Sequence, residues 1–258
     1  MEMEFTLTQG QLRIPCKLSQ PDDGDICRVV LGVHGLGGSM DDEIQSGIAE
    51  EMALFRSATV RFDFPAHGSS PMDSAYFTLE NCLDTLYAAA SWAKERFPQV
   101  EDLCIFATGF GAYLTLLSLQ DLLELPGRIR LVVQTPSVRM HETLLAMKGI
   151  SRETLWAMDA VTFNAPRPLT ITYRFYEELV ENIALNTYPI PMLILQGEGD
   201  DYIRMSDIQQ FRRINERAKL VIIPGTSHRF LESGAWDMVL DLTRDWFEFE
   251  QVFLSDWQ

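Results

Sequence analysis

The residues with the most chemistry to offer stand at strand ends. Pro191-Met192-Leu193-Ile194-Leu195 reads as a buried strand and runs into Gln196-Gly197-Glu198-Gly199-Asp200, a turn carrying an acid. Lys219-Leu220-Val221-Ile222-Ile223 runs into Pro224-Gly225-Thr226-Ser227-His228, a turn carrying a base. An imidazole oriented by a carboxylate can take a proton from a hydroxyl or from water. The partner such a pair would activate is missing. Ile105-Phe106-Ala107-Thr108-Gly109-Phe110-Gly111 has the small-residue frame of a sharp strand-to-helix turn that presents a nucleophilic serine, but its central residue is Gly109. Ser70, Ser137 and Ser227 sit in turns without that strand, elbow and helix context.

The elements that must position these groups are legible as apolar runs. Strands are expected at Val29–Val33, Thr59–Phe64, Leu103–Ala107, Ile129–Gln134, Met192–Leu195 and Lys219–Ile223. Their runs are continuous rather than alternating, which marks strands buried on both faces of a parallel sheet. Helices are expected at Asp42–Phe55, Leu79–Arg96, Phe110–Leu123, Ser206–Arg217 and Ala235–Phe253. An antiparallel pair, Glu4–Leu7 and Gln11–Leu18, precedes them around Gln9-Gly10.

The chain resembles α/β-hydrolases of the cinnamoyl (feruloyl) esterase, monoglyceride lipase and serine aminopeptidase type. His34-Gly35-Leu36-Gly37-Gly38, the run from Arg61 to Ser70 with its Ala66-His67-Gly68 turn, the elbow, Gly197-x-x-Asp200 and His228-Arg229-Phe230 carry the resemblance. The chain order of elbow, acid and histidine is also that of this fold. The resemblance implies one α/β domain over residues 1–258, with a mostly parallel central sheet, helices on both faces and a cap inserted after the sixth strand, at 138–188. It implies that His228 is the general base, that Asp200 rather than Asp201 orients it, and that the backbone amides of Leu36 and Phe110 form an oxyanion hole. His34 and His67 are expected to brace loops; His141 falls in the cap.

Within the cap, short helices are expected at Arg139–Lys148, Ser151–Met158 and Phe175–Leu185, with a turn and strand at 166–172. Trp156, Phe163, Tyr173 and Tyr176, with Phe175 and Tyr188, offer aromatic surface for an apolar acyl group. The expected ligand is a small-molecule ester or acid with an apolar or aromatic acyl group. A homodimer is left open.

In the family the elbow residue takes a positive φ, a strain of ~1–3 kcal/mol for a residue with a Cβ that glycine relieves. Gly109 therefore suits the fold while removing the group that attacks a carbonyl. Three functions stay open: a carboxylic-ester hydrolase scaffold with little or no covalent catalysis, a ligand-binding protein built on that scaffold, or an enzyme whose His228–Asp200 dyad activates water directly.

Composition narrows the rest. A length of 258 residues suits one domain of ordinary size. A net charge of −16 opposes binding to nucleic acid or to an anionic membrane. No apolar run is long enough to span a bilayer and the first residues do not read as a signal peptide. Cys16, Cys27, Cys82 and Cys104 lack metal-site spacing, so free thiols in the cytoplasm are expected, with no metal and no cofactor.

Overall fold

The computed structural model describes residues 1–22 and 24–255, with side chains through Phe249. The chain opens with β1 (Glu2–Gln9) and β2 (Leu12–Ser19), turning at Gly10 with φ +55°. It continues through β3 (Arg28–Val33), α1 (Glu43–Leu54), β4 (Ser57–Phe62), α2 (Leu79–Arg96), β5 (Asp102–Thr108), α3 (Gly109–Leu117), α4 (Leu119–Leu122) and β6 (Arg128–Gln134). After an interposed segment come β9 (Met192–Gly197), α8 (Met205–Ile214), β10 (Ala218–Ile223) and α9 (Ala235–Ser255). That segment holds α5 (Met140–Lys148), α6 (Arg152–Met158), β7 (Ala160–Phe163), β8 (Leu169–Thr172) and α7 (Tyr173–Glu181).

Eight strands form one sheet in the order β1-β2-β4-β3-β5-β6-β9-β10. Only β2 runs against its neighbours; every pairing from β4 to β10 is parallel. The apolar strand runs split by period two, as side chains on alternate faces must. Val29, Leu31, Ile105, Leu131 and Val133 pack with Leu86, Ala89 and Ala93 of α2 and with Ala112 and Tyr113 of α3. Val30, Phe106, Val132, Leu193 and Leu195 pack on the other face with Ile48 and Met52 of α1 and with Val239, Trp246 and Phe247 of α9. The central strands are thus apolar on both sides because each side meets a helix.

Local signals set the helix ends. Thr78 caps α2, its hydroxyl accepting from Asn81 N at 3.2 Å, and Lys94 and Arg96 sit at the negative end of the helix dipole. The helix expected over 110–123 is two pieces. It breaks at Ser118, whose ψ of −2° tightens the turn, while the Thr115 hydroxyl bonds back to the Gly111 carbonyl at 2.8 Å. The strand expected near 166–172 gains a partner that was not foreseen: β7 pairs with it antiparallel, joined across the strands by the Thr162 and Thr170 hydroxyls 3.0 Å apart. The final helix of this segment begins at Tyr173 rather than Phe175, because Thr172 caps it by accepting from Phe175 N. No helix among the described residues is long and apolar enough to cross a membrane.

Helix α3 leaves β5 at close quarters with β3. A Cβ added to Gly111 would fall 2.4 Å from the His34 carbonyl oxygen and 2.7 Å from that of Val33, both backbone atoms that cannot step aside. Gly111→Ala should therefore lower unfolding free energy by about 3 kcal/mol, the scale of overpacking in a rigid site. Gly149→Ala, where φ is +68° but the space is open, should lower it by only about 1 kcal/mol. Urea denaturation of the two variants checks the difference.

Candidate active site

The register of the parallel strands brings the chemistry-bearing turns to one edge. Val33 pairs with Ala107, Thr108 with Gln134, Gln134 with Leu195, and Ile223 with Gly197. The segments beginning at His34, Gly109, Thr135, Glu198 and Pro224 therefore all leave from the carboxyl ends of adjacent strands, where ligands of open α/β sheets bind.

Asp200 and His228 meet. Asp200 Oδ2 accepts from His228 Nδ1 at 2.9 Å and from Gln196 Nε2 at 3.0 Å, while Oδ1 accepts from the backbone amides of Tyr202 and Ile203 at 2.9 Å each. Burial pushes the Asp200 carboxyl up, but the His228 hydrogen bond and charge and the two amides outweigh it and hold the group below the usual carboxylate range. With Nδ1 committed to Asp200, a neutral His228 keeps its lone pair on Nε2, the state a general base requires. Tyr202 places its ring edge-on to the imidazole, 5.2 Å between centroids. Asp201 is exposed, and Glu198 instead bridges two turns by accepting from Gly225 N at 3.0 Å.

Gly109 sits between extended Thr108 and the first turn of α3 with φ +49°, and a Cβ built on it meets nothing within 4 Å. The position is thus sterically open in the direction a side chain would take. The Phe110 amide lies in the first turn of α3, where no carbonyl of the helix can accept from it. Its ring is buried in an aromatic cluster, with centroids 5.6 Å from Phe77, 6.0 Å from Phe64 and Tyr113, and 6.3 Å from Phe175.

The loop after β3 is shaped by two buried imidazoles. His34 Nδ1 contacts the Gly35 carbonyl at 2.9 Å while its Nε2 accepts from Phe64 N at 3.2 Å. His67 Nδ1 contacts the Pro65 carbonyl at 2.9 Å while its Nε2 accepts from Gly37 N at 3.0 Å. Each ring gives one N–H and accepts another, so each must be neutral. Asp63 supports the same loops, accepting from Met40 N, Ser69 N and the Ser69 hydroxyl. Leu36 lies between these fixed points, half-buried, so its amide is placed by the loop and not by its own side chain.

The segment between β6 and β9 is fastened to the domain. Arg167 donates to the carbonyls of Ser70 and Met72, Thr170 N donates to the Ser74 hydroxyl, Tyr113 OH donates to the Asn182 carbonyl, and Ala165 packs over Gly37. The aromatics singled out for ligand contact mostly serve this packing. Phe175 is buried 4.7 Å from Phe77. Tyr176 is buried against Tyr173 and edge-on to His141. The Tyr173 hydroxyl accepts from Arg152, and Lys148 covers the Phe163 ring. Trp156 corrects the expectation directly: it is 68 % exposed on α6 and faces solvent instead of an enclosed site. A cavity of about 300 Å³ lies at the β1–β2 turn beside Tyr76, Asn81 and Asp84, and a cleft of about 40 Å³ separates α5 from Tyr202, Ile203 and Arg204; none of the expected aromatics lines either. Sequence reasoning passed over Gln196, although a glutamine inside an apolar strand was a visible signal, and over Tyr202, for which no signal existed.

The neutral His67 carries a pH dependence. Burial drives its pKa from 6.5 down to about 3, helped by His34 and Arg167 nearby. The folded state refuses a proton that the unfolded chain accepts, so stability is complete above the unfolded pKa and falls as pH drops from 6.5 toward 3. The loss between pH 7 and 4 should be on the order of 3 kcal/mol. His67→Gln, which can still donate and accept, should flatten that limb of the urea-midpoint profile.

No curated protein matches the sequence. The fold superposes on Est1E from Butyrivibrio proteoclasticus with ferulic acid bound, at a TM-score of 0.79 and 18% identity over 96% of this chain and 99% of that one. It also superposes on alpha/beta hydrolase domain-containing protein 10 from mouse, at 0.75 and 15% identity over 95% and 98%. A serine hydrolase without lid from Xanthomonas campestris gives 0.63 and 18% identity over 100% and 97%. These likenesses are of fold, and the sequence itself matches the alpha/beta hydrolase family over residues 30–242, so the chain belongs to that family.

Proposed function

We propose that the chain is a carboxylic-ester hydrolase scaffold in which Gly109 holds the nucleophile's position, so that no acyl-enzyme forms. The observation that carries this reading is the open space at Gly109: the turn has the positive φ and the free Cβ direction of a residue on display, and displays nothing. The surrounding machinery supports an origin in ester chemistry. His228 is held by Asp200 with a free Nε2, and the Leu36 and Phe110 amides are the donors for a carbonyl oxygen.

Residual turnover follows a direct route. His228 Nε2 takes a proton from water, the hydroxide oxygen bonds to the ester carbon, and the carbonyl oxygen gathers charge toward the two amides. Collapse expels the alkoxide, which recovers the proton from His228. Without a covalent step such remnants reach only ~10³–10⁴ over the uncatalysed reaction in other hydrolases. The segment 138–188 acts as a cap over the site, and its ties through Arg167 and Ala165 to the loops around Gly37 and Ser70 favour this role. The ligand is an ester or acid with an apolar or aromatic acyl group. Est1E has ferulic acid bound, which makes hydroxycinnamate esters the first to test. Free thiols at Cys16, Cys27 and Cys82 favour the cytoplasm.

Gly109→Ser should raise kcat toward ferulate and short-chain esters by about 10³-fold or more, because the missing group is restored to parts already in place. His228→Ala or Asp200→Asn in that background should remove the gain. The serine should also lower stability by about 1 kcal/mol, since it adds a Cβ at positive φ. A folded Gly109→Ser protein inert toward a broad ester panel would favour a ligand-holding protein instead.

A further inference from the structure

Gln196 is the last residue but one of β9 and is fully buried, two residues beyond Ile194 and on the same face of the sheet. The strand around it is Met192-Leu193-Ile194-Leu195, where any apolar residue would fill the space. Its Nε2 reaches two acceptors, Asp200 Oδ2 at 3.0 Å and the Gly197 carbonyl at 3.3 Å. Both are hydrogen-free oxygens, so the amide can present only its NH₂ group there. Its Oε1 has no hydrogen-bond partner among the described residues. Leaving a buried amide oxygen unpaired is unfavourable, so the side chain sacrifices stability at a place where leucine would not. The turn holding His228 presses on the same strand end: a Cβ at Gly197 would fall 2.6 Å from the Thr226 carbonyl oxygen and 2.7 Å from that of Ser227.

We infer that Gln196 is a positioning residue for the His228–Asp200 pair, holding Oδ2 toward the imidazole and sharing the charge that this oxygen offers. The inference rests on reading that pair as base and acid. Oδ1 is fixed by two backbone amides that no side-chain change removes, whereas Oδ2 has one side-chain donor besides His228. With Gln196 present, the carboxylate divides its Oδ2 lone pairs between two N–H groups. Without it, the whole charge of that oxygen falls on His228 and favours the imidazolium. The other ionisable groups at these turns are Asp201 and Arg229, next in the chain to Asp200 and His228, Tyr202, edge-on to the ring, Glu198 on Gly225 N, and Glu232, whose Oε1 accepts from Ser227 N. They are unchanged by a substitution at 196.

The test is the titration of His228 in the full chain, followed by NMR of its ring together with the downfield Nδ1–H resonance. Gln196→Met should raise the His228 midpoint by about half a unit or more and move the Nδ1–H signal. Gln196→Leu, which likewise removes the donor from Oδ2, should raise the midpoint by a similar amount. A purely structural role would lower the melting temperature of either variant and leave the titration and resonance in place, and that result overturns the inference. Should the methionine variant fail to fold, the leucine variant decides alone. In a Gly109→Ser background the acid limb of kcat/KM should move in the same direction. An inactive Gly109→Ser protein would count against the esterase reading, while the His228 titration of the parent chain would still decide the role of Gln196.

Discussion

Helix α3 crosses the end of β3 with no room for a side chain at position 111, where a Cβ would lie 2.4 Å from a backbone oxygen. That approach forces the chain leaving β5 to turn within a single residue, and the residue at the corner takes φ +49°. A left-handed corner at the carboxyl end of a central parallel strand points its Cβ direction away from the packed helix, and at Gly109 that direction is empty. The same geometry puts the Phe110 amide in the first turn of α3 and buries its ring among Phe64, Phe77 and Phe175. A packing constraint between a helix and a strand end thus builds a platform for chemistry, whether or not a nucleophile stands on it.

The loops facing that corner depend on groups that must stay uncharged or fully bonded. His34 and His67 each act at once as donor and acceptor to backbone, and Asp63 gathers three donors from two loops. Gly68 at φ +46° lies so near Asp63 that a Cβ would fall 2.3 Å from its carboxylate oxygens, so the turn is glycine for want of space as well as for its dihedral. These contacts fix the Leu36 amide without using the leucine side chain. Across from that loop, the Asp200 carboxylate accepts from His228, from Gln196 and from two backbone amides.

Much of this was legible in the sequence. Uninterrupted apolar runs gave the parallel strands to within one or two residues, and the glycine-rich turns were visible as the segments that follow them, because strand ends and turn chemistry are local properties. Side-chain direction in the inserted segment was not legible. Trp156 and Tyr176 look alike as aromatic surface, yet one points to solvent and the other is buried against Tyr173, since the β7–β8 pairing that orients them is set by tertiary contact. The break at Ser118 was hidden for the opposite reason: the residues on both sides favour helix, and a side-chain bond within α3 accompanies the departure.

The central claim is that no covalent intermediate can form on this chain, and intact-protein mass spectrometry tests it most directly. After incubation with a fluorophosphonate and, separately, with an activated short-chain ester, the parent chain should show its unmodified mass while Gly109→Ser gains one adduct. A stoichiometric adduct on any serine of the parent chain would contradict the account.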